Sequence, residues 1–225
     1  MGIPNIIVVR YGPAAWPPGP EIIDSLDGMR QIVFSVVGAG GRHQSDQPAR
    51  VLQLTDQLSN MPGVMMDDFF RTEGQGNEVA VMPLEDLGKL HDRLAQLPSK
   101  LKLWNVLYDK QLHLPVSEHL KYCDKLSFWT WKAENIERLE ENFAVMERLV
   151  PDSCAKVLGC YLWDYGAKSP MPVDAMKHQV DFGWRCLREG RIEGIIFLAP
   201  CVCDLGLESV EWSRRWIADI SEHIL

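Results

Sequence analysis

Two places in the chain set carboxyl groups directly after an apolar run. Asp67 and Asp68 follow GVMM, and Asp164 stands between Trp163 and Tyr165 in VLGCYLWDYG. Acid–base cleavage makes opposite demands on two sides of one bond: one carboxyl gives up a proton while another attacks or stabilises positive charge. The donor must stay protonated near neutral pH. Neighbouring like charge and burial both raise a carboxyl pKa, which suits the adjacent pair Asp67 and Asp68. Successive strand residues point to opposite faces, so only one of the two is expected to face inward, and the sequence leaves open which. Other roles stay open beside this one: the paired aspartates could cap a helix, bind a metal or hold a loop, and Asp164 could be a structural carboxylate bonded to backbone amides.

Aromatic and basic side chains cluster at the same kind of position. Arg10 and Tyr11, Tyr108, Trp129 and Trp131, and Trp163 and Tyr165 all close apolar runs. Rings with an apolar face and a polar tip suit the lining of a ligand pocket, and about half of these six aromatics are expected there. At least one of Trp129 and Trp131 is expected to pack in the core instead. The loop Gly38-Ala-Gly-Gly-Arg42-His43 could bring backbone amides to a ligand, with Arg42 or His43 supplying charge or a proton, although a plain flexible loop is the simpler role. It matches no nucleotide-binding pattern, and His113, His119 and His178 show no metal-ligand spacing. The six cysteines are too sparse for a disulfide framework; Cys201 and Cys203 form the one close pair, with no second pair to complete a zinc site. Core and loop thiols are expected, with no metal and no cofactor.

Apolar runs alternate with amphipathic stretches, and that alternation is what positions these groups. Strands are predicted over 5–11, 31–38, 63–69, 101–108, 125–131, 156–164 and 194–199. Runs such as IIVV, IVFSVV and GIIFLA are continuous, as strands buried on both faces require. Helices are predicted over 133–149, where Ile136, Leu139, Phe143, Met146 and Leu149 form one stripe, over about 83–97, over 172–188 and over 208–223, with a shorter one at 115–122. Repeated β-then-α units without a linker imply one domain spanning 1–225, an α/β fold built on one parallel sheet. Even strand spacing and polar or aromatic strand ends favour a TIM-type (β/α) barrel over an open sheet, with seven strands visible where eight are needed.

The chain has 225 residues, of which 46% are hydrophobic and 24% charged, enough for a substantial core. A formal charge of -8 without clustered basic residues argues against nucleic-acid partners. No apolar run is long enough to cross a membrane and the N-terminus lacks signal-peptide features, so a soluble, cytoplasmic chain is expected.

From GVMMDDFF through SFWTW and VLGCYLWDYG to GRIEGIIFLAPCVCDLGLESVEWSRRWI, the chain resembles a group of bacterial (β/α)8 proteins regarded as glycoside-hydrolase-like and largely uncharacterised. The likeness covers nearly the whole chain. Members of that group carry further sequence before the segment matching NIIVVRYG, so the resemblance implies a barrel lacking its first β/α unit, with the visible strands numbered two to eight. Asp67 and Asp68 then end strand four and Asp164 ends strand seven. Those are the positions of acid/base and nucleophile in the large clan of retaining (β/α)8 glycosidases. This chain departs from the clan in having aspartates for glutamates and Met66 where the clan has Asn; the shorter side chains widen the separation towards an inverting geometry.

The expected function is therefore glycosidic hydrolysis, with Asp67 or Asp68 as acid/base and Asp164 as nucleophile or base. The expected ligand is a carbohydrate, met by Arg10, Tyr11, His43, Tyr108, Trp129, Trp131, Trp163 and Tyr165. Two alternatives are a non-catalytic carbohydrate-binding barrel and a metal-dependent lyase or isomerase using the same aspartates. A missing unit would leave two strand edges unpaired, so a homo-oligomer or a rearranged N-terminal segment is expected to cover them.

Overall fold

The computed structural model describes residues 2–13, 15–71, 78–198 and 202–224. Seven parallel strands curl into an open barrel with helices packed on the outside: β1 (Asn5–Val8), β2 (Gln31–Val37), β3 (Gly63–Met66), β4 (Lys102–Tyr108), β5 (Lys125–Trp129), β6 (Ala155–Tyr161) and, after a short antiparallel hairpin of β7 (Trp163–Asp164) and β8 (Ser169–Pro170), β9 (Ile195–Leu198). Their order in the sheet is their order in the chain, β1-β2-β3-β4-β5-β6-β9, and every neighbouring pair is parallel. This is the α/β arrangement of a TIM-type barrel with one β/α unit fewer; among the described residues β1 and β9 each pair on one side only.

Among the described residues seven α-helices complete the units: α1 (Pro20–Asp24), α2 (Gln47–Leu52), α3 (Leu84–Gln96), α4 (Ser117–Leu120), α5 (Leu139–Leu149), α6 (Val173–Arg188) and α7 (Glu208–Ile224). In α3, Glu85 and Asp86 occupy the first turn and Arg93 the last, complementing the helix dipole, while Leu87, Leu90 and Leu94 recur at helical spacing and are buried. Phe143 of α5 and Phe182 of α6 stack edge-on at 5.2 Å, and Phe128 of β5 meets Phe143 at 5.9 Å, so the outward face of the sheet is sealed by rings. One contiguous core runs from Trp16 to Val210.

Several boundaries differ from the sequence reading for local reasons. The third predicted strand stops at Met66, because Asp68 takes a positive φ of 46° that ends the ladder. The run 156–164 breaks at Leu162, and Trp163 and Asp164 pair instead with Pro170 and Ser169 in the hairpin. The helix expected from residue 133 begins as a 3-10 segment, Ala133–Arg138, before α5. Ala199 and Cys201, read as a strand end and half of a close cysteine pair, lie outside the described residues. Cys123, Cys154, Cys160 and Cys186 are buried free thiols. Among the described residues no helix is long and apolar enough to cross a membrane.

Candidate functional site

Register decides which side chains face inward. Met65 pairs with Trp104, Trp104 with Lys125, Val106 with Ser127, Tyr108 with Trp129, and Trp129 with Gly159. Partners in register share a face, and alternation then gathers Met65 and Asp67, Val106 and Tyr108, Ser127, Trp129 and Trp131, and Gly159 and Tyr161 on one side. The other side carries Phe128 beneath α5, so this face is the concave interior. Its upper end, where the strands finish, holds Asp67, Tyr108, Trp131 and Tyr161.

Asp67 is thus the inward member of the acidic pair. Its backbone N–H still donates to Val37 O at 2.9 Å, which ties it to the top of β2 just past an irregularity in the β2–β3 ladder. Burial is the main force pushing its carboxyl up to about 7, the negative charge of Asp68 adds to it, and a hydrogen bond from the Asp68 backbone opposes it. Asp68 turns aside at its positive φ and is held from two directions. Its Oδ2 accepts the Gly40 N–H at 2.7 Å and its Oδ1 accepts the Tyr108 hydroxyl at 2.7 Å. The glycine loop therefore brings a backbone amide to this protein's own aspartate.

The two buried tyrosines link the acidic pair to the aromatic wall. The hydroxyls of Tyr108 and Tyr161 interact, while the Tyr108 proton goes to Asp68 Oδ1. Burial raises both phenols well above their ordinary range, and the charges of Asp67 and Asp68 raise them further. Both stay neutral. Beyond them Trp131 meets Tyr108 at 5.4 Å, Tyr161 at 6.1 Å and Tyr165 at 6.0 Å, and Tyr165 meets Tyr161 at 4.9 Å. Trp129 lies deeper, buried against Tyr161 at 4.7 Å with its indole N–H on Ser127 Oγ at 3.0 Å. Glycine at 159 makes that possible, since a Cβ there would sit 2.0 Å from the Trp129 ring. Trp129 is core, and Trp131, partly exposed, forms the wall of the mouth.

Lys110 completes the rim. Its ammonium lies 3.8 Å from the centre of the Trp131 ring and 5.2 Å from that of Tyr108, a cation–π contact. Desolvation lowers its pKa, against the opposing pull of Asp68 and Asp109. Asp109 itself is a brace: Oδ1 accepts the Trp131 N–H at 3.0 Å and Oδ2 accepts the Asn135 side chain at 2.9 Å, joining the tops of β4 and β5.

The remaining candidates lie elsewhere or serve the frame. Asp164 is buried, and both its oxygens are engaged by backbone amides, Oδ2 by Ala133 N at 3.0 Å and Oδ1 by Ala167 N at 2.9 Å. It clasps the β7–β8 hairpin to the segment after β5, the structural alternative open to it in the sequence. A shallow depression lined by Lys132, Glu134, Asp164, Gly166 and Ala167 adjoins that clasp. Trp163, partly buried, pairs with Pro170 in the same hairpin. Arg10 braces the loop before α2, its guanidinium donating to Gln47 Oε1 at 2.7 Å and Gln44 Oε1 at 3.1 Å. Tyr11 is 84% exposed. His43 lines a separate cleft with Ser45, Pro48, Met82, Asp86, Lys89, Leu90 and Arg93, on the helical exterior beside α3.

Of the residues named from the sequence, Asp67, Asp68, Tyr108, Trp131 and Tyr165 lie together in the fold, beside Tyr161, Lys110 and Asp109, which were not named. Tyr161 was legible in principle, because it is two residues on from Gly159 along a strand whose inward face must accommodate Trp129. Lys110 and Asp109 follow Tyr108 directly and carried no signal beyond position. Among the described residues no three His, Cys, Asp or Glu side chains are grouped as a metal ion would need.

No model of a protein family matches the chain, and no curated protein matches it either. Solved structures do. A probable 2-pyrone-4,6-dicarboxylic acid hydrolase from Acinetobacter baumannii, with citric acid bound, aligns with a TM-score of 0.51 at 11% identity over 95% of this chain and 91% of its own. A glucosidase from Croceicoccus marinus aligns with a TM-score of 0.48 at 11% identity over 79% of this chain and 43% of its own, so the chain spans less than half the length of that enzyme. The first of these likenesses shows a shared fold: the chain has the architecture of the TIM-type barrels.

Proposed function

We propose that the chain is a hydrolase of the (β/α)-barrel class acting on a carbohydrate, with Asp67 as its proton donor. The observation that carries this reading is a carboxyl held at a pKa of about 7 on the concave face, at a mouth walled by Tyr108, Trp131, Tyr161 and Tyr165. An acid with a pKa near the working pH is half available as donor and half as base, the condition under which general acid catalysis is most effective. Asp67 gives its proton to the leaving oxygen as the C–O bond breaks. Asp68, fixed by Tyr108 and Gly40, keeps the Asp67 carboxyl raised, and water adds its hydroxyl to the carbon while its remaining proton restores Asp67. The partly exposed rings of Trp131 and Tyr165 offer an apolar surface on which a sugar stacks, and Lys110, over the Trp131 ring, offers a cation beside it.

Asp164 has no chemical part in this scheme, because its oxygens hold two amides. That same commitment favours the second reading, a barrel that binds sugar without cleaving it, since a glycosidase needs a second carboxyl across the bond. Incubation with a panel of aryl glycosides, for the native chain and D67N, separates the two. Hydrolysis lost in D67N supports the enzyme; sugar binding by calorimetry with no turnover in either protein supports the binding barrel.

A further inference from the structure

β4 ends at Tyr108 and passes directly into a 3-10 turn, Asp109–Gln111, at the mouth of the barrel. Three of these four side chains are committed to the frame. Tyr108 donates its hydroxyl to Asp68, and Asp109 accepts the Trp131 N–H and the Asn135 side chain. Gln111 is buried; its Oε1 accepts the Tyr108 N–H at 3.0 Å and its Nε2 donates to Phe70 O at 2.7 Å, which ties the turn to the segment after β3. Lys110 therefore stands on a turn fixed on either side of it. Its own side chain braces nothing: among the described residues its ammonium has neither a hydrogen-bond acceptor nor an ion-pair partner.

The lysine lies back over the rings, its ammonium 3.8 Å from the centre of Trp131 and 5.2 Å from that of Tyr108. That contact gives the cation a place, but ring faces satisfy none of its three N–H donors as an anion would. The nearby carboxylates are engaged elsewhere, Asp68 by Tyr108 and Gly40 and Asp109 by Trp131 and Asn135. Lys110 is thus a positioned positive charge with open donors, beside the partly exposed rings of Trp131 and Tyr165.

We propose that Lys110 is the specificity-determining residue of this mouth and that the substrate is an anionic sugar, a glycoside bearing a carboxylate or a sulfate ester that meets the ammonium while the sugar lies on Trp131 and Tyr165. The inference rests on the reading of this mouth as a carbohydrate site with Asp67 as its acid, and adds the class of sugar. A neutral sugar leaves the lysine donors to water, whereas an anion takes them in charge-assisted hydrogen bonds. The charge of Asp68 repels an anion from the acid. Together the two charges orient the sugar, its anionic group towards Lys110 and its glycosidic oxygen towards Asp67.

The test compares nitrophenyl glucosides and galactosides, in both anomers, with the matching uronides and sulfate esters, on the native chain, Lys110→Met and Lys110→Arg. On the native chain kcat/KM for an anionic series should exceed that for the neutral sugars by about tenfold or more, and the series that leads identifies the anion. Lys110→Met should bring the ratio near one, chiefly by raising KM for the anionic sugars, and Lys110→Arg should keep it. Calorimetry with the free uronic acids, sugar sulfates and neutral sugars reads binding apart from turnover. An anionic sugar that binds in preference to the neutral ones but is not cleaved upholds the role of Lys110 and overturns the hydrolytic reading. Neutral glycosides cleaved as well as the anionic ones, or a preference that folded Lys110→Met retains, overturn the role of Lys110 and leave hydrolysis standing. No binding and no turnover of any of these sugars overturns both. The native ratio decides even if a variant fails to fold.

Discussion

Tyr108 donates its hydroxyl to Asp68 Oδ1 at 2.7 Å, and this one bond joins the end of β4 to the acidic turn after β3. It fixes the Asp68 carboxyl beside Asp67, and the charge of Asp68 is one of the two causes that raise the Asp67 pKa. The relationship makes the aromatic wall and the acid a unit, so that altering the wall alters the acid.

Tyr108→Phe removes the donor and leaves one Asp68 oxygen without its buried partner. The expected cost is about 1–2 kcal/mol of stability, measured by urea denaturation. Turnover of any aryl glycoside found to be a substrate should fall along with it, and its pH profile should shift. A variant with unchanged stability and an unchanged profile would show that the bond does not support the site.

The raised pKa of Asp67 has a signed consequence for folding. Below an unfolded pKa near 3.9 the group is neutral in both states, and its contribution is fully present. As pH rises towards about 7 the unfolded chain gives up the proton while the folded one keeps it, so stability falls over that window. D67N abolishes the effect. Its stability relative to the native chain should therefore improve from pH 4 to pH 8, by up to roughly 4 kcal/mol by chemical denaturation. Equal slopes for the two proteins across that range would contradict the assignment.

Asp164→Ala tests the structural clasp. Freeing the amides of Ala133 and Ala167 should cost about 2–3 kcal/mol and loosen the β7–β8 hairpin, which hydrogen exchange at Ala167 would report. Activity per folded molecule should survive. Complete loss of turnover in protein that is still folded would return Asp164 to a chemical role.

Gly159→Ala places a methyl group into the Trp129 ring and should destabilise the protein by about 1–3 kcal/mol, with a change in tryptophan fluorescence. An unperturbed melting curve would mean that Trp129 can move aside.

Continuous apolar runs read as parallel strands because two-sided burial leaves no other economical arrangement, and for that reason seven strands and the barrel class were legible before any coordinates. Strand ends were less so. Whether Asp67 or Asp68 faces inward depends on register, and register is set by neighbouring strands, as Met65 against Trp104 shows. Asp164 was ambiguous for a related reason: a carboxylate at the end of an apolar run looks alike whether it meets a substrate or two amides. The bond from Gly40 to Asp68 spans 28 residues, and nothing local announces it.

The most direct test of the account is the carboxyl titration of Asp67 by carbon-13 NMR, in the native chain and in D68N. The account predicts a native midpoint near 7 and a lower one in D68N, because Asp68's charge is removed. A native midpoint near 4, unmoved by D68N, would show that Asp67 is an ordinary carboxylate and would remove the proton donor on which the proposed chemistry rests.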